Sequence, residues 1–317
     1  MITPRFSVVM PLYNKAGHVR AAIESVLAQT MPAHEILVID NRSTDGGREL
    51  VAELRDERIK LLDLPTPGPG GYAGRNLGIR AASGDWVAFL DADDLWLPEH
   101  LAVLTESIAV DPGVSAATTR FNHVFADRGQ KQRIARALEQ PVTLDLAGFL
   151  EAWLAVRECP MWTGATAIRR DTLFDAGLFP EGKAVRGGDK ELWLRVLARG
   201  RLRYDPAVTA VFHRDSENKV SKSTTTLGLP CLVDTARGMI AGAGPREAAL
   251  LRRLVNQEIA HYARYAMKHP GRTEIRLGDV YLPEGAGTAA LLLAAKLIPA
   301  PLRQSGHALR NRLLVRA

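Results

Sequence analysis

Three carboxylates stand almost side by side in Leu90-Asp91-Ala92-Asp93-Asp94, directly after an apolar run over 86–90. Side chains two apart in an extended segment point the same way, so Asp91 and Asp93 aim in one direction. Two carboxylates that close repel unless positive charge lies between them. A hard divalent cation, held by one or two carboxylates and by substrate phosphates, meets that requirement. The competing reading is structural, with Asp93 or Asp94 capping a helix that starts near Pro98. Just upstream, Gly71-Tyr72-Ala73-Gly74-Arg75-Asn76-Leu77-Gly78 forms a glycine-rich start to a short helix.

Such groups need a scaffold that gathers them, and the apolar periodicity supplies one. Residues 6–10, 36–39, 59–62 and 86–90 are near-continuous apolar runs, the mark of strands buried on both faces. Helical spacing separates the first three, with Ala22, Ile23, Val26 and Leu27 on one inward face and Leu50, Val51 and Leu54 on the next. Strict alternation of strand and helix predicts a parallel, right-handed α/β sheet. Ligands of open α/β sheets bind outside the carboxyl ends of the strands, where this chain places polar residues.

Further along, the pattern predicts a strand at 115–119 and a charged irregular or hairpin excursion over 120–140. A helix over 143–158, a strand over 164–168 and a short helix over 171–177 capped by Asp171 follow. Gly187-Gly188-Asp189 opens a helix over 190–199, and a last strand over 208–212 ends at His213. The character changes near Leu227, with helical segments over 245–269 and 287–316, the second interrupted by Pro299 and Pro301. The expected organisation is an α/β domain over 1–225, with halves 1–114 and 115–225, and a helical C-terminal region over 226–317.

The chain has 317 residues and a formal net charge of +6, with basic residues concentrated in the last third. That asymmetry suggests a polyanionic partner. No aromatic-rich basic groove accompanies it, so anionic lipid is favoured and nucleic acid is not expected. Two distant cysteines without metal-ligand spacing, Cys159 and Cys231, argue against a disulfide framework and a zinc site. The chain runs straight into a strand without a signal-peptide pattern, and the longest apolar stretch, 289–301, contains Lys296 and is too short to span a bilayer. The expectation is a cytoplasmic protein, peripheral on the inner face of the plasma membrane if the C-terminal helices bind lipid.

Taken together, Ser7-Val8-Val9-Met10-Pro11-Leu12-Tyr13-Asn14, Val38-Ile39-Asp40, Ser43-Thr44-Asp45-Gly46, Arg75-Asn76-Leu77-Gly78, Leu90-Asp91-Ala92-Asp93-Asp94 and Gly188-Asp189-Lys190-Glu191-Leu192-Trp193-Leu194-Arg195 resemble the family 2 glycosyltransferases of GT-A fold. The resemblance covers roughly residues 5–215. It implies an α/β, Rossmann-like, mostly parallel sheet flanked by helices. It also implies inverting transfer of a sugar from a nucleotide-diphosphate donor, UDP-sugar by preference, to an acceptor hydroxyl in polysaccharide or glycolipid assembly.

By that resemblance Asp40 accepts a hydrogen bond from the nucleotide base, and Pro11, Tyr13 and Asn14 lie against the nucleotide. Asp91 lies by the ribose or the metal, and Asp93 binds the Mg2+ or Mn2+ that bridges the diphosphate. Arg75 either meets the diphosphate or pairs with Asp91 or Asp94. His213 falls where relatives carry a histidine near the metal or the diphosphate, and Arg214, Lys219 and Lys222 are candidates for a diphosphate clamp. Asp189 corresponds to the general base, at a helix start that favours its ionised form. Trp162, Gly164 and Gly188 fall in the segments that hold acceptor or donor sugar. Asp45 reads better as turn or cap chemistry. Two positions depart from the family pattern: Gly188, where glutamate is common, and Asn41, where a second aspartate often stands.

Two other classes compete. Gly68-Pro69-Gly70-Gly71-Tyr72-Ala73 formally fits a dinucleotide fingerprint, but Pro69 removes an N–H that a phosphate wants and the preceding strand ends too early. A non-catalytic nucleotide-sugar-binding protein is the other, and Gly188 is the feature that favours it.

Overall fold

The computed structural model describes residues 3–66, 68–125, 128–184, 186–214, 229–268, 276–282 and 284–297. The first unit opens with β1 (Phe6–Leu12), α1 (Ala16–Leu27), β2 (Glu35–Asp40), α2 (Gly47–Ala52) and β3 (Ile59–Asp63). Then come α3 (Tyr72–Ala81), β4 (Trp86–Phe89), β5 (Leu95–Trp96), α4 (His100–Val110), β6 (Ala116–Phe125) and β7 (Arg128–Lys131). It ends with β8 (Val142–Leu144), α5 (Leu146–Val156), β9 (Thr166–Arg169), α6 (Arg170–Asp175), α7 (Gly188–Leu197) and β10 (Leu202–His213).

All strands join one sheet in the order β3-β2-β1-β4-β9-β6-β10-β5, with β7 beside β6 and β8 beside β10. β1 runs parallel to β2 and β4, and β2 parallel to β3, as the alternation predicts. β9 is antiparallel to both β4 and β6, so the sheet is mixed. The strands at its centre are apolar on both faces: β1 and β2 are buried almost throughout and β4 throughout. A sheet covered on both sides demands that pattern. Helix α3 lies close on β1, because Gly78 has no side chain; a Cβ there would sit 2.4 Å from Val9 Cγ1. This contact brings the N-terminus of α3 to the carboxyl ends of β1, β2 and β4.

Glu35 ties the amino ends together. It is 2% exposed and accepts from Ser7 Oγ at 2.6 Å, Ser83 N at 2.7 Å, Ser83 Oγ at 2.8 Å and Lys60 Nζ at 2.7 Å. Burial alone would raise its pKa, but these four donors hold the carboxylate down at about 2.

Several expectations are corrected. α4 starts at His100 with Glu99 before it and no side-chain cap, so neither Asp93 nor Asp94 caps that helix. The 143–158 helix is a strand followed by a helix, because Asp145 accepts from Gly148 N at 2.8 Å and starts α5 there. Thr163–Ala165 is a single 3-10 turn before β9. Asp171 lies inside the first turn of α6 and does not cap it. β10 is longer than the predicted strand, since irregular register between Asp205 and Ala210 lets one strand run past β6.

The chain divides into two compact units, 1–224 and 225–317. In the second, α8 (Cys231–Ile240) and α10 (Ala286–Leu297) each pack on α9 (Pro245–Lys268). Asn256 pins the intervening chain by donating to Tyr281 O and accepting from Tyr281 N, both at 2.9 Å. No helix among the described residues is long and apolar enough to cross a membrane. Arg303, Arg310, Arg312 and Arg316 lie outside the described residues, as do Lys219, Ser221 and Lys222.

Candidate active site

The turn after β4 draws Asp91, Asp93 and Asp94 together, with one carboxylate oxygen of each within 4.8 Å of the others. Protein groups offset the repulsion this creates. Arg75 Nη2 pairs with Asp91, and Lys15 Nζ with Asp93 Oδ2 at 2.8 Å. Asp94 is fully buried and accepts the backbone N–H of His213 at 2.8 Å, which ties the β4 turn to the end of β10. Three hard oxygen donors on one turn suit Mg2+ or Mn2+ far better than a thiolate-seeking metal. His213 reaches the cluster through its backbone; its imidazole is not among the clustered ligand atoms.

Arg75, 7% exposed, stands between two parts of the site. Nη1 donates to Gly70 O at 3.1 Å, the guanidinium lies 5.7 Å over the Phe179 ring, and Nε has no hydrogen-bond partner among the described residues. Burial opposes its charge, yet Asp91 foremost, and Asp189 at longer range, raise its pKa above the ordinary arginine value. Asp189 therefore lies within the electrostatic reach of the cation that neutralises Asp91.

At the ends of β1 and β2, the Asp40 carboxylate is 2% exposed and accepts the Ser43 N–H at 3.2 Å. Asn14 adopts a left-handed conformation (φ 49°), receives Thr44 N–H on Oδ1 at 2.8 Å and donates its own N–H to Ser43 Oγ at 3.1 Å. Asp45 accepts from Ala16 N at 2.7 Å and Gly47 N at 3.0 Å, the turn and cap chemistry its neighbours suggested. Tyr13 is 51% exposed beside this loop pair, and the Pro11 ring packs near Gly71 and Gly74.

Asp189 sits in the first turn of α7, behind Gly187 at φ 72°. The N–H of Gly188 donates to Tyr72 Oη at 2.9 Å, and Tyr72 stacks on Phe179 with ring centroids 5.8 Å apart. Asn76 holds Phe179 by both backbone groups, accepting its N–H at 2.9 Å and donating to its carbonyl at 3.1 Å. Gly188 has no room for a side chain: a Cβ would lie 2.8 Å from both Pro180 Cγ and Tyr72 Cζ. The departure from the family pattern thus coincides with the tyrosine ring that fills the space.

A cavity of about 490 Å³ opens beside Asp189, walled by Trp162, His123, Glu158, Arg133 and Arg214 among others. Asp40, Asp91 and Asp93 are not in its wall. Burial pushes Glu158 up, but hydrogen bonds from His123 and Arg133 outweigh it and hold the carboxylate below its usual range. A larger space of about 860 Å³, lined by Arg5, Asp85, Trp86 and Arg169, lies at the opposite, amino ends of β1 and β4, away from these carboxylates.

Residues 7–171, more than half of the chain, match the family described as Glycosyl transferase family 2. The chain belongs to that family. An uncharacterized glycosyltransferase of Nostoc is 34% identical over 178 residues, 53% of this chain and 52% of its own length. The succinoglycan biosynthesis protein ExoO of Rhizobium meliloti is 30% identical over 66% of this chain and 61% of its own. Matches to an uncharacterized glycosyltransferase of Rickettsia conorii reach only 31% of that protein's length, so the chain spans from 31% to 61% of these relatives. The crystal structure of S. aureus TarS 1–349 in complex with UDP-GlcNAc superposes with a TM-score of 0.69 at 20% identity, covering 92% of this chain and 81% of that one. The fold is the mostly parallel, helix-flanked sheet of GT-A proteins.

In this family 2 chain, Asp91, Asp93 and Arg75 come together, and Tyr72 in α3 links that group to Asp189. Trp162 both lines the cavity and packs between Phe121 and Phe212, at 4.7 and 4.8 Å. Gly164 does not line the cavity; it makes room, since a Cβ there would fall 2.3 Å from the Trp162 ring. Lys15 and Glu158 escaped the sequence reading, and Tyr72 entered it only as part of the glycine-rich helix start. Lys15 carried a signal, as a cation just beyond the carboxyl end of β1 and thus near any acidic turn after β4. His123 gains Glu158 and Arg214 as partners, and His100 is a core histidine bonded to Thr209 Oγ1 at 2.7 Å, its pKa lowered to about 3 by burial.

Proposed function

We propose that the chain transfers a sugar from a nucleotide-diphosphate donor, UDP-sugar by preference, to an acceptor hydroxyl with inversion. The observation that carries this reading is the N-terminus of α3: Arg75 pairs with Asp91, and Tyr72, three residues earlier on the same helix, holds the turn that bears Asp189. One rigid element thereby joins an acidic cluster to a separate aspartate across the site. The TarS complex with UDP-GlcNAc supports the donor class through its common fold. The E. coli relative named as a UDP-Glc:α-D-GlcNAc-diphosphoundecaprenol β-1,3-glucosyltransferase, 43% identical over 95 residues, supports a lipid-linked acceptor in polysaccharide or glycolipid assembly.

Asp93 and Asp91, with Asp94 beside them, would hold Mg2+ or Mn2+. When bound, that ion supplies positive charge against the diphosphate that departs. The chain's own groups do the rest. Asp189, in the first turn of α7, takes the proton of the acceptor hydroxyl as its oxygen bonds the anomeric carbon. The bond from that carbon to the donor phosphate oxygen breaks on the opposite face, and its electron pair leaves with the nucleoside diphosphate. A single displacement reverses the anomeric centre. Asp40 would accept from the base, with Pro11, Tyr13 and Asn14 flanking the nucleotide. Residues 1–225 act as the catalytic domain in this reading, donor in 1–114 and acceptor in 115–225.

The test is turnover of a panel of nucleotide sugars with Mn2+, followed by Asp189→Asn. Removal of a positioned base is expected to lower kcat by roughly 10²–10⁴ while UDP affinity is kept. Full activity in Asp189→Asn would sink the base assignment; UDP binding without turnover of any donor by the native chain would favour a binding protein instead.

A peripheral, cytoplasmic-face location is part of the same proposal. Its support is α10, on which Leu293 is 44% exposed, and the basic sequence that follows.

A further inference from the structure

The cavity beside Asp189 holds more positive charge than the transfer reaction alone needs. Five cations, Lys131, Arg133, Arg157, Lys190 and Arg214, line it. Only two carboxylates, Glu158 and Asp189, share the wall with them. Glu158 is already engaged by Arg133 Nε at 3.4 Å and His123 Nε2 at 3.5 Å. Clefts lined by one sign of charge concentrate ligands of the other.

Arg214 is the most organised of the five. Its Nε donates to His123 Nδ1 at 3.1 Å, which makes Nε2 the protonated ring nitrogen that faces Glu158. Its guanidinium lies 4.8 Å over the Phe212 ring and 5.8 Å from the Phe125 ring. It is exposed and forms no ion pair with a described residue. A guanidinium braced on two aromatic faces and one imidazole has little rotamer freedom left to lose on binding. Such a group presents a planar fork suited to a phosphate or carboxylate.

We infer that the acceptor carries a negative charge near the hydroxyl that receives the sugar, and that Arg214, rather than clamping the donor diphosphate as the family resemblance suggested, recognises that charge with the cations around it. This rests on the proposed transfer reaction, and it deepens it by giving the acceptor a chemical class. An anionic acceptor is repelled by the ionised Asp189 it must approach, so a compensating cation in the same cavity is what the chemistry requires.

The experiment uses the full chain with saturating UDP and Mn2+, which keeps the donor site filled. Calorimetric binding of glucose 1-phosphate, glucuronate and glucose is compared at low and high salt, in the native chain and in Arg214→Gln. The charged sugars are expected to bind at least about tenfold tighter than glucose at low salt, with the preference lost in Arg214→Gln while UDP binding is unchanged. The phosphate and carboxylate arms identify which anion fits better. Equal binding of all three sugars overturns the inference, as does a preference that survives in Arg214→Gln. Loss of UDP affinity in Arg214→Gln also overturns it, because Arg214 would then serve the donor diphosphate. If the charged preference is found but no nucleotide sugar is turned over, the transfer reading falls and the anion site stands.

Discussion

Gly188→Ala asks whether packing against Tyr72 is what locates Asp189. The added Cβ would lie 2.8 Å from Pro180 Cγ, 2.8 Å from Tyr72 Cζ and 3.1 Å from Tyr72 Cε2. Ordinary contacts between carbon atoms begin near ~3.5 Å, so something must yield by roughly half an ångström or more. Neither neighbour yields freely. Pro180 is part of the backbone, and the Tyr72 ring is stacked on Phe179 and bonded to Gly188 N. Overpacking of this kind costs about 1–3 kcal/mol. Alanine in place of glycine in a helix returns at most about 1 kcal/mol, and less at the first residue of α7, so the net loss is up to about 2 kcal/mol. The least costly relief is a shift of the first turn of α7, and Asp189 travels with it. A misplacement near 1 Å lowers turnover by roughly 100-fold. Urea unfolding measures the first quantity, and turnover of the preferred donor measures the second. UDP affinity with Mn2+ should be unchanged, since the acidic cluster is on a different loop. Tyr72→Leu, which shortens the ring, should recover part of the stability in the double variant, with a coupling above about 0.5 kcal/mol. A Gly188→Ala chain with native stability and native turnover would refute the reasoning outright.

Lys15→Met should raise Mn2+ affinity by roughly tenfold, about 1.4 kcal/mol, because Lys15 Nζ at 2.8 Å no longer competes for Asp93. Titration of Mn2+ followed by its electron spin resonance reads this directly, and weaker binding in the variant would mean that Lys15 helps to build the metal site. Glu35→Gln should cost about 1–3 kcal/mol at neutral pH, the usual penalty for leaving buried donors poorly paired. The folded pKa near 2 lies below the ordinary value of 4.5, so the native advantage is full above pH 4.5 and fades as pH falls toward 2. Urea midpoints at several pH values between those limits check it; a difference that stays constant across the window would contradict the linkage. Flotation with anionic liposomes, comparing the full chain with one ended before Gly287, is expected to show binding that needs the last segment. Equal behaviour of the two ends the membrane proposal.

What the sequence by itself determined is local. Apolar runs broken by helical spacing dictate parallel strands, because both faces of each central strand must be buried. A carboxylate that follows such a run, as Asp91 follows β4 and Asp40 closes β2, is delivered to the carboxyl edge of the sheet whatever the rest of the chain does. The acidic turn, the loops after β1 and β2 and the glycine-rich start of α3 were therefore legible as a set. What only the tertiary structure decided is which distant residue meets which. Lys15 finds Asp93 across 78 positions, Tyr72 finds Gly188 across 116, and Arg214 finds His123 across 91. No periodicity announces these pairings, and of the six residues only Lys15, just beyond the end of β1, stands at a position that points toward its partner. Their meeting depends on how α3 and β10 seat on the sheet, and that is set by packing summed over many side chains. Gly188 shows the difference most plainly. In the linear chain it is a missing glutamate, and in the folded one it is the space that a tyrosine ring occupies.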